Sequence, residues 1–266
     1  MTAHHFSTIQ FKVQDNIAYL VLNRPEKANS LNATMHEELQ AVLTEIEPQK
    51  QIRALIISAN GKAFCAGQDL SERILHDSDA PRDLSLTIQK YYKPLITRLA
   101  RLHCPVISVV QGACAGAGMS LALAADIVFA TQSAYFLQAF AKIGLVPDAG
   151  SSYFLINSVG LPKAMALAML ADKLSAPEAE RMGLIYKVIA DDAIESTIQA
   201  VAQQLSQTAP LALRGIKRLM RQGVNNSLDE QIDFEADIQR EVGYSADFKE
   251  GVAAFLEKRA PHFKGQ

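Results

Sequence analysis

The stretch that most constrains this chain is residues 105–131, PVISVVQGACAGAGMSLALAADIVFAT. Its two ends, VISVV and DIVFAT, are short, β-rich and nearly without polar positions, as expected of strands buried on both faces. Between them lies a run of small residues, in which a glycine loop leads into a small-residue helix, MSLALAA. Strand, loop, helix and strand in that order predict an α/β architecture.

The flanking sequence extends this pattern. Residues 8–13 and 17–22 are β-rich runs separated by Gln14-Asp15-Asn16, which reads as a hairpin. Asn32 is placed to cap a helix with Met35, Leu39, Val42, Leu43 and Ile46 at helical spacing, stopped by Pro48. Residues 53–58 read as a buried strand, followed by a loop from Gly61 to Asp69. The polar segment 71–83, with Pro81, is expected to be mobile. A helix over 84–102 presents Ile88, Tyr91, Leu95, Ile96 and Leu99 on one face. Ser175-Ala-Pro-Glu178 has capping-box spacing, and 185–189 is the last expected strand. Beyond Asp191 the chain reads as helices over 192–207, 210–222, 228–242 and 246–259. The chain thus divides into an α/β core, 1–200, and a helical C-terminal part, 201–266. A helical tail with no core of its own packs on the main domain or on another subunit.

Composition narrows the function. Over 266 residues the formal net charge is −2, so no basic field points to nucleic acid or to a membrane surface. Three cysteines, Cys65, Cys104 and Cys114, fit a reducing compartment better than a disulfide framework. The N-terminus lacks a signal core, and the apolar stretches look too short to span a bilayer. The expectation is a soluble cytoplasmic protein. The His4-His5 pair is too short and terminal to nominate a metal site, and no metal is expected.

The loops after the buried strands are the candidate site, since α/β folds bind ligands at strand C-terminal ends. The first is Ala63-Phe64-Cys65-Ala66-Gly67-Gln68-Asp69 and the second is 112–126. Either could be a plain tight turn. The second is no P-loop, because no Lys-Ser or Lys-Thr pair closes it. It is no dinucleotide fingerprint either, because Leu121 stands where the third glycine belongs. What remains is a pair of backbone amides suited to an oxyanion.

FCAGQDL, the segment from Pro105 to Gly118, IGLVPDAG, NRPEKANSLN near the start and EGVAAFLEKRAPHFKG at the end resemble, in order and spacing, the enoyl-CoA hydratase/isomerase (crotonase) superfamily. The resemblance runs through essentially the whole chain. It implies a ClpP/crotonase-like spiral of ββα units with a C-terminal helical trimerisation region, and a homo-oligomer, trimer or dimer of trimers. It implies an acyl-CoA substrate, with coenzyme A part of that substrate and no separate cofactor. The thioester carbonyl would sit on the amides of Gln68 and Ala117, beside Gly67 and Gly116. The coenzyme arm would run past Arg24, Lys27 and Ala28 and the backbone of Ala63, Phe64 and Ala66, with Lys258 and Phe263 finishing the pocket.

Hydratases of this family use two glutamates, and their positions fall here on Ser120 and Phe140. Neither can act as a carboxylate, which argues against simple hydration. Asp148, in Val146-Pro147-Asp148-Ala149-Gly150, would on local grounds be a turn residue bonding backbone amides. The resemblance gives it another role, because several double-bond isomerases of the family place their base there. Phe136, Phe140 and Leu145 would wall it in apolar surroundings. The segments YKPLITRLARL, AFAKIGLVPDAG and SADFKEGVAAFLEKR resemble the branch that rearranges ring epoxides of aryl-CoA thioesters. Related activity shifts a 3-enoyl to a 2-enoyl double bond.

The alternatives are a hydratase, a non-catalytic acyl-CoA binder, an RNA binder on this scaffold and a hydrolase. The last would use Ser120 or Cys114, but Ser120 is not in a GxSxG elbow and neither His76 nor His103 is spaced as its partner. Cys65 and Cys114 read as packing residues and Asp69 as a turn cap. Tyr91, Tyr92 and Tyr153 read as core aromatics before pocket ones.

Overall fold

A computed structural model describes residues 6–73 and 83–266. β1 (Ile9–Gln14) and β2 (Ile17–Leu22) form the expected hairpin. Its two turn residues, Asp15 and Asn16, sit at φ 52° and 62°, the left-handed pair that matches strand twist. α1 (Ala33–Ile46) starts where Asn32 accepts a bond from the Met35 amide at 2.9 Å, and it buries the predicted stripe.

Three passes of strand, strand and helix follow. In the first, β3 (Ala54–Ala59) and β4 (Ala63–Cys65) lead through a 3-10 turn (Leu70–Arg73) to α2 (Ser85–Thr87), a π turn (Ile88–Tyr92) and α3 (Lys93–Arg101). In the second, β5 (Val106–Val110) and β6 (Ala113–Ala115) precede α4 (Ala117–Leu123). In the third, β7 (Ile127–Thr131) and β8 (Tyr135–Leu137) precede α5 (Ser151–Leu170). The first strands of the passes lie parallel in a six-stranded sheet, and the second strands lie parallel in a four-stranded one. The chain therefore winds as the expected spiral of ββα units. β9 (Leu174–Ser175), α6 (Ala176–Arg181), capped by Ser175, and β10 (Lys187–Ile189) complete the α/β part. The tail comprises α7 (Ile194–Gln207), α8 (Pro210–Gly223), α9 (Leu228–Gly243) and α10 (Ala246–Glu257).

The main core fills the space between the two sheets and helices α1, α3 and α4. A second cluster, with Ile56, Val109 and Phe129 of the large sheet, is covered by Ala202 of α7. The division expected at residue 200 thus falls inside α7. α8 is anchored by Lys217, whose ammonium donates to the carbonyls of Leu99 and Cys104 and pairs with Asp126 at 2.8 Å.

Several expectations need correction. The segments 61–69 and 112–126 do not begin as plain loops: each holds a strand, β4 or β6, too short for alternation to show. On the α2–α3 rod the buried aromatic is Tyr92, while Tyr91 is half-buried. The π turn adds a residue to that winding and rotates the stripe. α5 carries apolar residues all around rather than on one side, so no stripe marks it. By length and composition its 20 residues could cross a bilayer, contrary to the expectation that no apolar stretch could. Gly160, at φ 75° and ψ 164°, breaks it into two helices, each well short of the roughly 20 residues a span needs. Of the segment expected to be mobile, residues 74–82, with His76, lie outside the described residues, as does the His4-His5 pair.

Candidate active site

β4 ends at Cys65 and β6 at Ala115, and the two strands run parallel with Cys65 paired to Cys114. The shared ladder brings the segments that leave them, 66–68 and 116–117, side by side. Gly67 lies at the join, at φ 97°. A Cβ there would stand 3.0 Å from the Ala115 carbonyl oxygen and 3.4 Å from the Ala117 nitrogen, so only glycine permits the approach. Gly118 serves the next layer: a Cβ on it would fall 2.4 Å from the Cys65 carbonyl.

Around Gln68 the backbone is pinned to Leu31. The Gly67 carbonyl accepts from the Leu31 amide at 2.7 Å, and the Asp69 amide donates to the Leu31 carbonyl at 2.9 Å. These bonds turn the Gln68 N–H to the other side. Among the described residues neither that N–H nor the one of Ala117, the first residue of α4, donates to a protein acceptor. The side chain of Gln68 is held separately, its Oε1 accepting from the Tyr92 hydroxyl at 2.7 Å.

Both segments open onto one cavity of about 130 Å³. Ala66, Gly67, Gln68, Gly116 and Ala117 form part of its wall; Leu70, Leu84, Ala139, Phe140, Ile143 and Leu145 form the apolar remainder. Asp148 is its one charged lining residue among the described residues. Phe136 is not part of the wall, contrary to expectation: it is wholly buried, because alternation along β8 turns it into the core. The turn read from the Pro-Asp-x-Gly sequence exists too. Ala149 and Gly150 are left-handed, and the Asp148 carbonyl accepts from the Ser151 amide at 2.9 Å and from Ser120 Oγ at 3.2 Å. Turn residue and cavity carboxylate are therefore one and the same.

Beside the first loop, the Ala66 amide donates to the Ala28 carbonyl at 3.0 Å, placing the 24–28 turn against 63–66. Lys27 is exposed on that turn. Arg24 spends its guanidinium internally, on Asp69 at 2.9 Å and on the Ser30 carbonyl. Asp69 also accepts from the Ser71 hydroxyl and amide, so it caps the turn as read and adds an ion pair. The Ser71 hydroxyl, with Arg24 behind it, holds the Asp69 carboxyl below the usual carboxylate range. Asn29 is a residue the sequence reading missed. Fully buried, its amide donates to the carbonyls of Asn60 and Ala63, both at 2.8 Å, and its oxygen accepts from the Arg24 amide. Its signal was an asparagine beside Ala28 in a turn, where left-handed backbone is tolerated.

Other candidates lie elsewhere. The Phe64 side chain is wholly buried, leaving only its backbone toward the loop. Lys258 ends α10, exposed, and the Phe263 ring packs over Gly251 with its carbonyl taken by Arg53; neither lines the cavity. Tyr153 lines a different hollow under α8. Cys65 and Cys114 are packing residues as read: burial pushes the Cys65 thiol up to about 12 and raises that of Cys114 well above its usual value. Ser120 is fully buried and bonded to the Asp148 carbonyl, and His103 lies in another hollow with Glu47 and Lys50. Among the described residues, that leaves the hydrolase reading without a nucleophile–base pair.

Comparison with known proteins gives the family and the fold. The family profile described as enoyl-CoA hydratase/isomerase matches residues 12–266. The 1,2-epoxyphenylacetyl-CoA isomerase of Escherichia coli K12 is 43% identical over 254 residues, 96% of this chain and 97% of its own. A Rhodobacter capsulatus protein named "Probable enoyl-CoA hydratase" is 42% identical, covering 98% of this chain and 99% of its own. The crystal structure of an enoyl-CoA hydratase from Polaromonas sp. JS666 superimposes with a TM-score of 0.91 at 32% identity, over 97% of this chain and all of that one.

Proposed function

The chain belongs to the enoyl-CoA hydratase/isomerase family, and from that premise we propose that it is an acyl-CoA isomerase whose substrate is a ring epoxide of phenylacetyl-CoA. The carrying observation is the cavity itself: two uncommitted amides, an apolar wall and a single carboxylate, Asp148. Water addition in this family uses paired glutamates. Ser120 and Phe140 stand at those positions, and Phe140 lines the cavity as an apolar ring.

The thioester carbonyl oxygen sits between the amides of Gln68 and Ala117. Asp148 takes a proton from the carbon beside the carbonyl and becomes the neutral acid. The electron pair moves into the thioester, and the resulting enolate oxygen is held by the amides, each typically contributing about 3–4 kcal/mol. Asp148 then returns the same proton to a carbon of the ring as the epoxide rearranges to its seven-membered isomer. Nothing is added or lost, and one carboxylate serves as base and then as acid. The same sequence of proton moves would convert a 3-enoyl to a 2-enoyl thioester. No cofactor beyond the coenzyme A of the substrate enters these steps.

The coenzyme arm in this reading follows the 24–28 turn and the 63–66 backbone. Lys258 and Phe263 would close the pocket of a neighbouring subunit, since they do not reach their own cavity. Exposed Phe248, Phe255 and Leu256 on α10 support assembly into trimers or dimers of trimers through the tail. We place the protein in the cytoplasm, in keeping with its three free cysteines.

The test is to offer the purified protein epoxyphenylacetyl-CoA, a 3-enoyl-CoA and crotonyl-CoA in water, following products by mass and absorbance. Isomer of unchanged mass is expected. Rapid hydration of crotonyl-CoA with no isomer would return the chain to the hydratases. Saturable binding without turnover of any of them would make it an acyl-CoA binder.

A further inference from the structure

We propose that Ser120 is a positioning residue for Asp148, tying the turn that carries the carboxylate to the helix that carries the Ala117 amide. This rests on the reading of Asp148 as the base. Ser120 lies three residues after Ala117, in the first turn of α4, and is wholly buried. A buried serine in a helix commonly bonds back to the carbonyl four residues earlier. Ser120 does not; its Oγ leaves the helix and donates to the Asp148 carbonyl at 3.2 Å. Its own amide meanwhile donates to the Gly116 carbonyl at 3.3 Å, so the residue is fastened to both sides of the cavity.

A second tie runs parallel to the first. Gln138, also buried, donates from Nε2 to Ser151 Oγ at 2.7 Å and lies 3.0 Å from Met119 Sδ. Ser151 in turn donates its amide to the same Asp148 carbonyl at 2.9 Å. Adjacent residues of α4, Met119 and Ser120, thus both contact the 148–151 turn, one through Gln138 and one directly. Polar groups are costly in so dry a layer unless bonded, and the Ser120 bond and the Gln138 bridge both link α4 to the 148–151 turn.

The distance this fixes is the one the chemistry depends on. The carboxylate must reach two carbons in turn while the carbonyl oxygen stays on the amides. A misplacement of about 1 Å in such an arrangement can cost on the order of a hundredfold in rate. Losing one of the two bonds to the Asp148 carbonyl should give a smaller loss, since the Ser151 amide remains.

The experiment compares full-length wild type, Ser120→Ala, Asp148→Asn and the double variant on whichever thioester the wild type isomerises. Ser120→Ala is expected to lower kcat about tenfold, to change KM less than twofold and to move the midpoint of the kcat–pH profile, with the melting temperature little changed. The double variant should be no slower than Asp148→Asn alone, because Ser120 acts only through the carboxylate. A wild-type kcat and pH profile in Ser120→Ala would overturn the tie, as would losses that multiply in the double variant. Should Ser120→Ala not fold, Ser120→Cys, similar in shape but a weak donor, is read in the same way. Full activity of Asp148→Asn defeats the base assignment itself. An inactive Asp148→Asn beside an unaffected Ser120→Ala defeats only the inference about Ser120.

Discussion

The Tyr92 hydroxyl donates to Oε1 of Gln68 at 2.7 Å, and it can do so because a π turn over Ile88–Tyr92 swings that ring into the protein. Gln68 bears one of the two amides proposed for the oxyanion. Tyr92→Phe keeps the ring and removes the bond. Stability should fall by about 1 kcal/mol, read by denaturant titration. Turnover should fall severalfold as the loop loosens, with substrate affinity nearly intact.

Asp148→Asn keeps the size of the side chain but removes the proton acceptor. Isomerisation should drop by at least about a thousandfold while acyl-CoA binding, measured by calorimetry, stays within a few-fold of wild type. Loss of binding in parallel with activity would show that the residue holds the fold of the cavity rather than moving a proton.

Gly67→Ala tests the cradle without touching a polar side chain. The new Cβ meets the Ala115 carbonyl at 3.0 Å and the backbone is at φ 97°, so the two loops must part. Destabilisation of roughly 1–3 kcal/mol is expected, with turnover lost out of proportion to stability. An active Gly67→Ala enzyme would mean the amides are not where the carbonyl binds.

The Arg24–Asp69 pair gives a pH signature. The Asp69 carboxyl titrates below its ordinary value in the folded chain, held there first by the Ser71 hydroxyl and then by Arg24. Its contribution is therefore present above the unfolded value, about 3.9, and is lost as pH falls through the lower folded value. Asp69→Asn should be less stable than wild type at pH 7 by roughly 3 kcal/mol, because Arg24 loses its partner in a nearly dry setting. The gap should close in strong acid. A constant gap down to pH 2 in chemical denaturation would contradict the assignment.

Thiol titration checks the packing of the ladder. All three cysteines are buried, and burial pushes both Cys65 and Cys104 up to about 12. A disulfide reagent at pH 8 should label none quickly in the native protein and all three in guanidinium. Fast labelling of native Cys65 or Cys114 would indicate local opening of β4 and β6.

The sequence shows the skeleton well where side chains follow a period or cap an end. The hairpin, the Asn32 cap on α1 and the four tail helices all come from such local signals. It shows the site through glycine: Gly67 and Gly116 mark backbone that other residues cannot adopt. What stays hidden is whatever depends on contacts between distant segments. Nothing near Tyr92 announces the π turn that buries it in place of Tyr91. Asn29 resembles any loop asparagine until its three bonds are seen, and Phe136 resembles a pocket residue until β8 is known to turn it inward. β4 and β6 are the extreme case, since three residues are too few to alternate legibly.

That ladder of three-residue strands also separates what can vary from what cannot. The geometry of the segments after β4 and β6 is set by pairing and by glycine. The segment after β8 presents Ala139, Phe140, Ile143 and Leu145 as side chains. Substitution there would reshape the cavity while leaving the two loop amides untouched. The fold is thereby modular: the acyl chamber can be varied in one segment without rebuilding the backbone proposed to hold the enolate.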